Sequence, residues 1–210
     1  MAGSPQSGGA FLPAADYDIT GQMRLVPTLA ANAPVNAITK GAFSTATVTP
    51  FATDTYLVGS SIAAPSMGFL AGSRYTCLFD MVKTAAGTAT PIITVRIGTA
   101  GAIGDTAILT FTFAAGTAAV DTGTFLVTAH FRTVGSGTAA VVVGVAECRH
   151  ALAATGLVST GASGQGQISV VSSGFDSTTA GLVIGTAFNG GASFSGTCSL
   201  VEAELRSYTT

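Results

Sequence analysis

The chain has 210 residues, a formal net charge of −2 and only 9% charged residues, against roughly 25% in an average soluble protein. Hydrophobic residues make up 48%, enough for a sizeable core. The longest apolar run, Ala139 to Ala146, contains Gly144 and ends at Glu147, well short of the ~20 residues a spanning helix needs. The eight basic residues are scattered from Arg24 to Arg206 with no cluster visible in the sequence, so neither a membrane nor a nucleic acid is expected as a partner.

Residues 1–45 carry Pro5, Pro13, Pro27 and Pro34, with a Gly/Ser-rich stretch from Gly3 to Gly9 and no sustained period. They read as an extended N-terminal attachment arm. Its apolar residues Phe11, Leu12, Met23, Leu25 and Val26 are the candidate docking contacts, because a free arm has no use for them. No basic n-region or apolar h-region follows Met1, so the chain is expected to stay in the cytoplasm in which it is made until it is assembled.

Residues 46–210 read as one all-β domain. In Arg74 to Met81, Tyr75, Cys77, Phe79 and Met81 face one way and Arg74, Thr76 and Asp80 the other, with Leu78 the exception. Period two then recurs at Ile93–Ile97, Leu109–Phe113 and Phe125–Arg132, and again at Val201–Leu205 against Glu202 and Glu204. Val141–Cys148, Gln167–Ser172 and Gly181–Phe188 complete the set of predicted strands. One apolar face per strand is the mark of half-buried antiparallel strands. Glycine-rich turns separate them, and Asn189-Gly190-Gly191 between Phe188 and Phe194 predicts a hairpin. Eight or nine such strands predict an antiparallel β-sandwich or jelly roll. Thr, Ser and Gly fill the gaps between apolar residues. A neutral, hydroxyl-rich surface repels its own copies weakly, which points to a subunit of an assembly.

Four patterns carry possible chemistry, and each has a structural explanation. Asp121-Thr122-Gly123, with Val183-Ile184-Gly185 downstream, has the form of an aspartic-protease turn, but such a site needs two carboxylates and the sequence holds one such triplet. Gly135-Ser136-Gly137-Thr138-Ala139-Ala140 fits a loose dinucleotide fingerprint, yet a Val-rich strand follows it where a helix is required. Glu202 with Glu204, and Asp16 with Asp18, are paired carboxylates, but the chain has no Trp and only four Tyr on which to stack a sugar. His130 and His150 lack the spacing of a metal site and read as surface or interface residues. Cys77, Cys148 and Cys198 are odd in number, lack CxxC spacing, and read as small buried hydrophobes. No catalytic residue, cofactor or metal is expected, and the chain reads as a non-enzyme.

Three stretches carry a resemblance: Thr53–Ile62, Lys83–Pro91 continuing through Thr94–Thr99, and Phe175–Gly185. They resemble minor structural proteins of tailed bacteriophages, over about residues 50–206. The resemblance implies a β-sandwich or jelly-roll module tied to its neighbours by an N-terminal arm. It implies a capsid decoration (cement) or head-fibre subunit of the virion, as a homotrimer bound to the major capsid protein or other virion proteins. The alternative is a tail or baseplate appendage that binds host glycans through an aromatic- or carboxylate-lined groove.

Overall fold

Strict alternation on the two longest predicted strands decides the architecture. The computed structural model of the protein describes residues 36–84, 87–88, 90–152, 155–159 and 165–209. These form strands β1 (Asn36–Ser44), β2 (Thr55–Tyr56), β3 (Ile62–Ala63), β4 (Arg74–Lys83), β5 (Ile92–Gly98) and β6 (Thr106–Thr112). Then follow β7 (Asp121–Thr133), β8 (Val141–His150), β9 (Gln165–Val171), β10 (Val183–Asn189), β11 (Gly196–Thr197) and β12 (Val201–Thr209). On β4 and β7 every second residue is buried, so each strand has one core face and one outward face.

The strands lie in two antiparallel sheets. The larger runs β1-β12-β4-β7-β8-β9 with β11 beside β4, and the smaller runs β2-β10-β5-β6 with β3 beside β10. First and last strands pair, and the pairing nests inward. β1 neighbours β12, β2 and β3 pair with β10, β4 with β7, and β5 with β6. The path is one long hairpin rolled up so that β12 also pairs β4 and β10 also pairs β5. That is a jelly roll, with β8 and β9 added as a hairpin extension of the larger sheet.

The fold differs from the sequence reading in two places. Asn36–Ser44, expected in the arm, is strand β1, so the β domain begins at residue 36 instead of 46. The chain does turn at Asn189–Phe194, where Asn189 Oδ1 accepts from Gly191 N (2.8 Å) and Phe194 N donates to Gly191 O (2.9 Å). The expected hairpin is absent there, because β10 lies in the smaller sheet while β11 pairs β4 in the larger. The turn is a crossover between sheets.

Between the sheets, Phe188 of β10 meets Phe51, Phe79, Phe125 and Phe194 at centroid separations of 5.4–5.9 Å. Phe69 stacks on Phe131 at 4.4 Å toward the other end. Edge and stacked contacts of this kind add to the area that these rings bury. One polar cluster crosses the same core. The Tyr75 hydroxyl donates to Ser60 O (2.8 Å) and lies 3.0 Å from Thr186 Oγ1, while Ser60 Oγ accepts from Thr186 N (3.1 Å). Burial drives the Tyr75 hydroxyl well above its ordinary pKa. It therefore stays a donor and joins β4 to β10 through the apolar interior.

Tyr75→Phe keeps the ring and strands Ser60 O without its donor. The expected loss is about 1–2 kcal/mol, seen as a fall of roughly 2–8 °C in the thermal midpoint for a domain of this size. Circular dichroism melting of the purified variant checks this, and an unchanged midpoint would contradict the role given to the hydroxyl.

Candidate functional site

Asp121 opens β7 opposite Lys83, the last residue of β4. Its carboxylate accepts from Thr122 N (2.8 Å), Leu152 N (3.3 Å) and Leu157 N (2.9 Å), and His150 Nδ1 donates to it at 2.6 Å. Both side chains of the His150–Asp121 pair are fully buried. Four donors occupy the carboxylate, so it organises a loop and is not presented to a substrate. Gly156, at φ 96°, passes so close that a Cβ there would lie 2.1 Å from Asp121 Oδ2. Lys83 Nζ turns inward to Ala119 O (3.1 Å) and Thr117 O. Burial lowers the Lys83 pKa, and the facing Asp121 opposes that shift.

The protease-like triplet is therefore a structural latch. Val183-Ile184-Gly185 begins β10 in the other sheet, where Gly185 faces Arg96 of β5. His150, read as a surface or interface residue, is buried instead, because the carboxylate it meets comes from the adjacent strand. The spacing of 29 residues between Asp121 and His150 leaves no periodic trace in the sequence.

The Gly135–Ala140 segment links β7 to β8 as a tight connection. Gly135 N donates to Ser177 Oγ (2.9 Å) and Gly137 N to Asp176 Oδ2 (3.1 Å). The hydrogen bonds from the Thr178 hydroxyl and N–H, with that from Gly137 N, lower the Asp176 pKa. The three cysteines are free and buried, and desolvation pushes Cys77 up to about 11 and Cys148 and Cys198 up to about 12. They are neutral thiols at physiological pH. Among the described residues no group of three or more His, Cys, Asp or Glu could hold a metal. Phe11, Leu12, Met23, Leu25 and Val26, and Asp16 with Asp18, lie outside the described residues.

What the fold assembles is a surface. The outward residues of β12, β4, β7, β8 and β9 line up in rows across the larger sheet. One row is Arg206, Arg74, His130, Val143 and Val171. The next is Glu204, Thr76, Thr128, Val145 and Ser169, and the third is Glu202, Leu78, Leu126, Glu147 and Gln167. Basic residues that are far apart in the chain thus become direct cross-strand neighbours, and Arg132 lies two residues beyond His130 on β7. Like charges directly opposite cost stability. Burial, and then the neighbouring Arg74, lower the His130 pKa, so that imidazole stays neutral at physiological pH. Arg206 is matched by Glu204, with Nε to Oε1 at 2.6 Å. No ion pair is made by Arg74, Arg132 or Glu202 among the described residues.

At the β1/β12 margin of the same face a shallow groove runs between Phe43, Leu200, Glu202 and Glu204. Phe43 is 74% exposed, although a Phe of this chain is ordinarily in the core. Comparison with protein-family models and with curated proteins gives no match. The functional argument therefore rests on these surfaces.

Replacing Asp121 by Asn removes the charge that four N–H groups converge on. Weakening a charged acceptor that buried donors share costs about 1.5–3 kcal/mol. Urea denaturation should show a loss of that order. A loss below about 1 kcal/mol would contradict the latch.

Proposed function

We propose that the chain is a non-enzymatic structural subunit of a tailed-phage virion, a capsid decoration or head-fibre protein that docks through the segment preceding β1 onto the major capsid protein or another virion protein. The observation that supports it best is the outward face of the larger sheet. It is broad, its middle row is mostly hydroxyl-bearing or apolar, and its charges are few and balanced in sign. Such a face suits close contact between large neutral surfaces. The Asp121 carboxylate of the protease-like triplet and the His150 imidazole are engaged with each other and with a loop. The resemblance of Thr53–Ile62 and Phe175–Gly185 to minor structural proteins of phages points the same way.

Deleting residues 1–35 leaves every described strand in place. The truncated chain should still give a cooperative β-sheet melt by circular dichroism and fail to co-purify with particles. Incorporation equal to that of the full chain would contradict docking through this segment.

The groove at Phe43 favours a second reading, a tail or baseplate appendage that holds a host glycan. An exposed aromatic ring beside Glu202 and Glu204 offers a stacking surface and hydrogen-bond acceptors for sugar hydroxyls. On this reading a broad glycan array gives specific binders that Phe43→Ala abolishes. Absence of any binder removes the second reading.

A further inference from the structure

The outward face of the larger sheet is complementary to itself, and we infer that it pairs with the same face of a second copy across a two-fold axis. The row holding the cations Arg206 and Arg74, with His130 beside them, and the row holding Glu202 and Glu147 lie either side of the Thr76–Thr128 row. Two residues along a strand span about 6.6 Å, so the outer rows are roughly 13 Å apart. A two-fold axis along the middle row turns a second copy face to face and exchanges the outer rows. Glu202 of one copy then lies over Arg206 of the other and beside Arg74, which makes no ion pair among the described residues of its own chain. Leu78 and Leu126, cross-strand neighbours on the outward side, fall on the aliphatic stem of Arg74 and on the His130 ring.

An axis along the strands lays each row on itself, so within the three rows no arginine meets a carboxylate across the contact. Along the favoured axis Glu204 meets its own copy, but each carboxylate is already held by its own Arg206.

The area is sufficient. The face is six strands wide, β1 to β9. At ~4.8 Å per strand and about eight residues of ~3.3 Å each, it covers roughly 800 Å². A standard specific interface buries about 800 Å² per partner. The two-fold contact is isologous, so it joins copies in pairs and leaves the opposite sheet free. It rests on the face described above and does not require a phage particle. Pairing covers the Phe43 groove, so a paired subunit cannot use that groove for a glycan.

The experiment is sedimentation equilibrium on the purified full chain and three variants, with folding checked by circular dichroism. The full chain should give a dimer or an even multiple at tens of micromolar. Glu202→Lys places a cation against Arg206 and Arg74 and should weaken pairing by ~10-fold or more. Arg74→Glu should weaken it similarly, and the double variant should recover most of the affinity. A monomer or a trimer for the full chain, or a double variant no better than the singles, overturns the inference. Failure here leaves the virion role standing, because that role is read from particles and not from the free chain.

Discussion

The register of β4 against β7 is the constraint on which the rest depends. Ten residues of each strand pair antiparallel, from Arg74 against His130 to Lys83 against Asp121. Because the side-chain period is two, a slip of one residue would send Arg74, Asp80 and His130 inward and expose Tyr75, Cys77, Phe79 and Phe125. The phenylalanine core between the sheets holds that register from inside, and the Tyr75 hydroxyl adds a directional link to β10. Once this pair is set, β12 and β8 can add to its two sides in only one way. The outward rows follow with no further choice.

The same register makes the surface. A chain with 9% charged residues has little charge to place, and the pleat directs much of it onto one face. The two ends of that face differ in sign, with hydroxyls and branched apolar side chains between them. Such a surface neither attracts nucleic acid as a uniformly basic patch would nor repels its own copies as a uniformly charged one would. This joins the fold to the proposed structural role. The inner half of each strand supplies stability, and the outer half supplies the face that we propose meets other copies.

Strands with an apolar face were legible from sequence because alternation survives in them. β4, β5, β6, β7, β8, β9 and β12 are of this kind, whereas β10, buried along its middle five residues, is legible instead as an apolar stretch between glycine turns. The unread strands fail for identifiable reasons. β2, β3 and β11 are two residues long, too short to show a period. β1 inverts the expected pattern, since Lys40 is the less exposed residue and Phe43 the more exposed. The Lys40 ammonium is satisfied by the carbonyls of Ala63 and Ala64, at 3.1 and 3.0 Å, which no local pattern announces. The candidate surface was hidden for a related reason. Arg74, His130 and Arg206 are neighbours only after three strands have paired, so one-dimensional spacing presents them as scattered. The Asp121–His150 latch likewise exists only between adjacent strands.

The measurement that bears most directly on the proposed role is the number of copies of this chain in a purified particle, by quantitative mass spectrometry against the major capsid protein. The account predicts a fixed stoichiometry that matches the symmetry of a ring or of the capsid lattice. Absence of the chain from intact particles, or a copy number that varies with expression level, would contradict it.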